Sequence, residues 1–297
     1  MGKRTKKQGK IISTLIILII ALILGAFTQK EIPTEVAKQE DINTVIQSEV
    51  TDDLKVYFID VGQADSILVT SKDKAMLIDA GNNEDGEDVV NFIKEKGITK
   101  LNYVIGTHPH EDHIGGLDDV INAFDIDNVL LPDITTNTKT FEDVLDAIEN
   151  KHLEITTPQI GDTFTLGESN CEVKSTIIDN SNLNLATLVI RLEFGKNSFL
   201  FMGDAETENE EQTTWEQTTV LKVGHHGSNT SSSLKFLEQV KPQIAVIMVG
   251  EGNRYGHPNE ETLEKLEKMN SKIYRTDENG TITITSDGNE CKVETDK

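Results

Sequence analysis

Cysteine is scarce in this chain. Only Cys171 and Cys291 occur among 297 residues, and neither belongs to a CxxC pair, which argues against a thiolate metal site. Both lie in strand-like segments. They form one disulfide if the domain sits outside the cell, or stay as two separate thiols. Positive charge is also short: 28 Lys and Arg stand against 51 Asp and Glu, a net charge of −23. Six of those 28 fall in the first thirty residues, which hold no acidic residue, so the remainder carries −29. A field of that sign repels phosphate backbones and argues against tight, sequence-independent DNA binding. It leaves nucleic acid open as a substrate, because bound divalent cations reverse the local charge. Missing as well are a Gly-rich phosphate loop, a Ser-x-x-Lys or Gly-x-Ser-x-Gly nucleophile, and any internal repeat.

What is present fits a globular protein. Hydrophobic residues make up 36% and charged residues 27%, and the length suits one large domain or two modest ones. Residues 1–29 pair a basic flank (Lys3, Arg4, Lys6, Lys7, Lys10) with an apolar run from Ile11 to Phe27. That pattern reads as a signal anchor or a signal peptide. The run is near the lower length limit for a spanning helix, and Gly25-Ala26 is a weak cleavage site. The reading places the rest of the chain outside the cytoplasm, held by an uncleaved single-pass segment or secreted after cleavage. Residues 30–53 are polar and acidic and read as a linker; residues 54–297 form the domain.

The chain is organised around Thr107-His108-Pro109-His110-Glu111-Asp112-His113-Ile114-Gly115-Gly116, which holds three of its seven histidines. Imidazole and carboxylate are the usual ligands for Zn²⁺ and related ions. The spacing i, i+2, i+4, i+5 is not that of one helix face, and Pro109 bars a regular helix through the middle. The segment reads as a loop in which His108 and His110 face one ion while Asp112 and His113 face a second. Gly115-Gly116 lets the backbone pass closely behind it. Strand Leu101 to Gly106 delivers this loop at its carboxyl end, as in α/β proteins generally.

Four further segments accompany the loop: Phe58-Ile59-Asp60-Val61-Gly62-Gln63-Ala64-Asp65-Ser66, Leu77-Ile78-Asp79-Ala80-Gly81, Phe201-Met202-Gly203-Asp204 and Leu221-Lys222-Val223-Gly224-His225-His226-Gly227-Ser228. Together the five motifs resemble the metallo-β-lactamase superfamily. The resembled branch is typified by the extracellular hydrolase domain of ComEC-type competence proteins. The resemblance runs from about residue 54 to about 286. It implies an α/β fold: a four-layer αβ/βα sandwich of two mixed sheets face to face with helices outside, here behind an N-terminal hydrophobic anchor. It also implies two divalent metal ions, Zn or Mn.

The expected metal ligands are His108, His110, Asp112, His113, Asp204 and His225. Asp204, at a strand end, would bridge the ions through its two oxygens; the competing reading is a helix N-cap. His225, the first residue after Gly224, is taken to complete the second ion, leaving His226 as a proton carrier or a support for the ligands. Asp60, Asp65 and Asp79 would orient ligands rather than bind metal. Ala64 stands where the family places glycine. Many members hold the first ion with a third histidine, but no histidine lies between His152 and His225. Water or Asn184 through its carbonyl would fill that position, and oxygen ligands shift preference from Zn²⁺ towards Mn²⁺. His257 opens a helix, where it would meet an anionic substrate or simply cap.

The expected reaction is hydrolysis with Asp112, His226 and His257 as catalytic residues. Two ions about 3.5–4 Å apart activate a shared water, and His226 or His257 protonates the leaving oxygen. Phosphoesters are the first substrate class, nuclease- or phosphodiesterase-like, with nucleic acid not tightly held and competence or cell-surface proteins as partners. Small substrates such as a choline phosphoester, a lactone or a lactam are the second. A non-catalytic metal-holding surface module is the third. Among the expected strands are Ile155 to Leu166, and Ile273 to Thr276 with Thr281 to Thr285 around a turn at Asp277 to Gly280.

Overall fold

The computed structural model describes residues 53–297. The anchor expected at residues 1–29 lies outside the described residues, as does the linker up to residue 52. Among the described residues no helix is long and apolar enough to cross a membrane.

The chain first builds β1 (Leu54–Phe58), β2 (Ile67–Ser71) and β3 (Lys74–Ile78), then helix α1 (Gly86–Glu95) and β4 (Lys100–Ile105). Two short helices, α2 (Glu111–Ile114) and α3 (Leu117–Ala123), lead to β5 (Asp125–Leu130), α4 (Lys139–Asn150) and β6 (Ile155–Thr156). Next come β7 (Thr163–Leu166), β8 (Ser169–Ser175), β9 (Val189–Phe194), β10 (Asn197–Phe201), α5 (Thr207–Glu211), β11 (Val220–Lys222), α6 (Leu234–Val240) and β12 (Ile244–Ile247). The chain closes with α7 (Glu260–Lys268), β13 (Lys272–Arg275), α8 (Thr276–Asn279), β14 (Ile282–Ser286) and β15 (Cys291–Thr295).

Two mixed sheets result, an eight-stranded one in the order β15-β14-β1-β2-β3-β4-β5-β6 and a seven-stranded one in the order β13-β12-β11-β10-β9-β8-β7. Each is antiparallel on one side and parallel on the other: β3 to β6 and β10 to β13 run parallel. The sequence explains the difference. In β1, Leu54, Val56 and Phe58 are buried while Lys55 is exposed, the alternation of a strand with one apolar face. In β12, Ile-Ala-Val-Ile is buried throughout, as a strand covered on both faces requires.

Three apolar clusters mark the layers. One fills the space between the sheets, with Phe58, Met76, Ile190, Phe199, Phe201 and Val246 among its members. A second packs α1, α3 and α4 on the outer face of the first sheet through Val89, Ile93, Val120, Val144 and Ile148. The third packs α6 and α7 on the second sheet through Phe236, Leu237, Val240 and Leu266, with Trp215. The order is therefore helix, sheet, sheet, helix.

Two strand expectations need correction. Ile155 to Leu166 is two strands in different sheets, β6 in the first and β7 in the second. Pro158 removes a ladder donor, and Gly161 turns the chain at φ 89°. Likewise β13 and β14 flank the one-turn helix α8 and belong to opposite sheets, not to one hairpin. Cys171 and Cys291 are both free thiols.

Candidate metal centre

The functional side chains gather at the carboxyl ends of the parallel strands. The segment after β3 brings Asp79, that after β4 brings Thr107 to His113, and those after β10 and β11 bring Asp204, His225 and His226. The histidine-rich segment is a loop as far as His110. Asp112 and His113 then ride on the single turn of α2. Its two glycines are needed for close approach. A Cβ on Gly115 would lie 2.2 Å from the Asn82 carbonyl carbon, and one on Gly116 would lie 2.5 Å from the Ala80 oxygen.

Asp204 is the hub. Its carboxylate is almost fully buried and divides four imidazoles between its two oxygens. Oδ1 lies 3.2 Å from His113 Nε2 and 3.5 Å from His226 Nε2. Oδ2 lies 3.6 Å from His225 Nε2 and 3.8 Å from His108 Nε2. His110 Nδ1 approaches His108 Nε2 at 3.0 Å, and Asp112 Oδ2 approaches His226 Nε2 at 3.4 Å.

The opposite nitrogen, Nδ1, of each of the four imidazoles is engaged elsewhere, which leaves Nε2 as the nitrogen that faces Asp204. His113 Nδ1 meets Asp79 Oδ2 at 2.8 Å and His226 Nδ1 meets the Met248 carbonyl at 2.9 Å. Both partners only accept, so both nitrogens donate. Thr107 spends its hydroxyl proton on Asp79 at 2.7 Å and accepts from His108 Nδ1 at 3.2 Å. Thr230 gives its proton to Glu206 at 3.0 Å and accepts from His225 Nδ1 at 3.1 Å. Orientation of this kind fixes the tautomer of a ligating histidine.

His113 Nε2, His226 Nε2 and Asp204 Oδ1 are buried and make no hydrogen bond, although they converge. Buried polar groups are rarely left so. Imidazole nitrogens facing carboxylate oxygens are the donor set of Zn²⁺ or Mn²⁺ once a metal displaces any proton, and the residues fit such ions. The ligand atoms of Asp112, His113, Asp204 and His226 lie within 4.8 Å of one another, as do those of His108, His110 and Asp204. A third group, Asp65, Asp79 and His113, meets the same test, but there Lys222 pairs with Asp65 and supplies the positive charge.

Electrostatics agree with this division. Burial pushes His108 well below the usual imidazole range, and His110 is lowered for the same reason. Burial also opposes charge on His113, but the carboxylates of Asp204 and Asp79 outweigh it and raise His113 well above that range. Burial disfavours the Asp204 anion too, and the charges of His113 and His226 overcome it and hold the acid well below its ordinary value. The carboxylates that would draw a proton to this cluster would equally draw a metal cation.

The expectation gave the second ion's histidine to His225. The geometry instead groups His226 with Asp112 and His113, and sets His225 on the opposite oxygen of Asp204. The reason lies in the backbone. His225 and His226 both take left-handed conformations, at φ 48° and 51°, a strained turn that costs on the order of 1–3 kcal/mol per residue. That turn inverts the order in which the two rings meet the site. Asp79 does orient His113. Asp60 touches none of the site histidines and instead meets Gly62 and Lys297. His257 stands behind His225, with ring centroids 5.7 Å apart.

Several contributors went unnoticed in the sequence. Lys222 is fully buried, pairs with Asp65 and donates to the Gly203 carbonyl at 3.2 Å. A lysine inside the apolar run Val220 to Val223 was the available signal. Glu206 holds Asn182 at 2.7 Å and Asn184 at 3.3 Å as well as Thr230. Thr187 lies 3.3 Å from His108 Nδ1. No local pattern marks either. Asn184 lines the cavity with its Oδ1 buried and unpartnered.

Comparison with known proteins agrees with the fold. ComE operon protein 3 of Bacillus subtilis (strain 168) is 32% identical over 251 residues, covering 77% of this chain and 32% of that protein. Recombination protein 2 of Haemophilus influenzae is 30% identical over 233 residues, covering 76% of this chain and 28% of that protein. The chain thus spans about a third of the length of these curated relatives. Among solved structures, the metallo-beta-lactamase fold protein YhfI from Bacillus subtilis superposes with a TM-score of 0.55 at 12% identity, covering 82% of this chain and 100% of that one. The family model described as the metallo-beta-lactamase superfamily matches residues 59–251. This chain belongs to the metallo-β-lactamase superfamily, whose members are generally metal-dependent hydrolases.

Proposed function

We propose that the chain is a dinuclear metal-dependent phosphodiesterase, nuclease-like in its chemistry and acting outside the cytoplasmic membrane. The observation that carries the reading is the split of Asp204: each oxygen faces its own set of imidazole Nε2 atoms. His108, His110 and Asp204 would hold one ion, with His225 and Asn184 lining the same cavity beside it. Asp112, His113, Asp204 and His226 would hold the other. Bound divalent cations would lower the pKa of water and neutralise charge developing on phosphoryl oxygens.

The protein's own residues do the rest. Asp79 and the Met248 carbonyl keep His113 and His226 in one tautomer. With His226 among the ligands, His257 is left to deliver a proton to the leaving oxygen; it lines the same cavity of about 330 Å³. The relatives named Recombination protein 2 and, in Neisseria gonorrhoeae, Competence protein ComA support a phosphodiester substrate and a place at the cell surface, with competence proteins as partners. The basic and apolar residues 1–29 support membrane attachment.

Turnover of bis(p-nitrophenyl) phosphate with Mn²⁺ supplied, lost in Asp112→Asn, tests the reading. His257→Ala should slow esters with alkyl leaving groups far more than p-nitrophenyl esters, which leave without a proton. No turnover of any phosphodiester by the metal-loaded chain would overturn it.

A further inference from the structure

Five large apolar or aromatic side chains are exposed among the described residues, and Tyr255 is the most exposed of them at 56%. It is also the one at the site. Tyr255 lines both the 330 Å³ cavity over Asp204 and a neighbouring cavity of about 760 Å³. Its ring stacks on His257 at a centroid distance of 5.9 Å and an interplanar angle of 17°. The Arg254 guanidinium lies 5.1 Å from the Tyr255 ring centre and donates to its hydroxyl at 3.0 Å.

The loop that presents this stack is fixed. Asn253 accepts from the backbone N–H of Tyr255 and of His257, each at 3.1 Å. It donates to the carbonyls of Gly250 at 3.0 Å and His257 at 2.6 Å. Gly250 N–H in turn donates to Gln63 at 3.1 Å, tying the loop to the other sheet's edge of the site. Five hydrogen bonds thus fix the loop that carries Tyr255, yet the ring touches only His257 and Arg254 of this stack and stays 56% exposed, so burial in the core does not account for its place.

Resting on the phosphodiesterase reading above, we infer that Arg254 and Tyr255 form a stacking platform for one unpaired nucleobase next to the scissile phosphate. Planar groups stack on phenol and guanidinium faces, and every base offers such a face. The platform borders the metal-site cavity, so a phosphate over Asp204 and a base on Tyr255 belong to adjacent parts of one ligand. The rest of the wall limits that ligand's length. Asp60, Glu84, Asp85 and Glu111 line the larger cavity, where Arg254 is the only lysine or arginine among the lining residues. A run of phosphates would meet repulsion there, whereas a single nucleoside would not. A choline headgroup suits the acidic wall, but the Arg254 charge over the ring opposes a second cation on that face.

Binding to the full Mn²⁺-loaded chain in detergent tests this by calorimetry. The probes are thymidine 5′-monophosphate, 2-deoxyribose 5-phosphate and phosphocholine. The base should improve affinity about tenfold over the sugar phosphate, in line with stacking on one aromatic ring. Tyr255→Ala should erase that preference and Tyr255→Phe should keep it. Equal affinity for the nucleotide and the sugar phosphate, a preference that survives Tyr255→Ala, or tighter binding of phosphocholine would each overturn the platform. A chain that splits no phosphodiester yet keeps a Tyr255-dependent base preference would sink the reaction assigned above and leave the platform standing.

Discussion

Removing the positive charge of Lys222 should do more damage than any exposed substitution. The ammonium is fully buried, pairs with an equally buried Asp65 and donates to the Gly203 carbonyl. It links three strand ends of the site, since Asp65 Oδ1 also lies 3.4 Å from His226 Nδ1. Lys222→Met keeps most of the volume but leaves the Asp65 carboxylate buried without its cation. Breaking a buried pair this way costs about 3–5 kcal/mol. For a domain of this size each kcal/mol moves Tm by roughly 2–4 °C, so a fall of roughly 6–20 °C is expected. Thermal unfolding followed by circular dichroism reads it, with chelator present so that bound metal does not mask the change. The paired change Asp65→Asn with Lys222→Met should recover much of the loss, because neither partner then carries charge. A Tm for Lys222→Met within about 2 °C of the parent would refute the reasoning.

Three other outcomes follow from the same geometry. His226→Ala should lower metal content by one ion per chain while His225→Ala keeps the ion beside Asp112 and His113; mass spectrometry of the metal content would show the reverse if His225 were the ligand. Burial raises the Glu210 carboxyl above its ordinary value, against the hydrogen bonds it accepts from Ser233 and Ser232. Its contribution to stability is therefore full below the unfolded value near 4.3 and is lost as pH rises through the raised folded value. Urea denaturation of the parent should show that extra downward slope and Glu210→Gln should not; parallel slopes would count against it. Burial pushes the thiols of Cys171 up to about 12 and Cys291 up to about 11. Both should therefore alkylate slowly at pH 8 until denaturant is added, and fast labelling of Cys171 in the folded chain would contradict its position in the core.

Much of this architecture could be read from contiguous patterns. His108, His110, Asp112 and His113 sit in one short segment, and a cluster that dense points to metal without help from the fold. Asp204 was legible because an apolar strand, Phe199 to Met202, ends at it. What stayed hidden depends on distance in sequence or on backbone conformation. The two histidines after β11 are chemically identical, and only the left-handed turn at both decides which ring joins Asp112. The partner of Lys222 is 157 positions away on another strand's loop, and no local periodicity encodes it. Ile155 to Leu166 reads as strand throughout, rich in Thr and Ile, yet Pro158 and Gly161 pass it from one sheet to the other. Nothing local marks Tyr255 either: the cavity it lines is built by residues distant in sequence, among them Asp60, Gln63, Asn82 and Glu111.

One carboxylate, Asp204, faces two candidate cation sites with different histidines on each side. Crystals of the full domain soaked in Mn²⁺ and measured for anomalous scattering test it directly. Two peaks are predicted, one shared by Asp204 with His108 and His110, the other with Asp112, His113 and His226. A lone peak between Asp65 and Asp79, or no peak near Asp204 at saturating Mn²⁺, would contradict it.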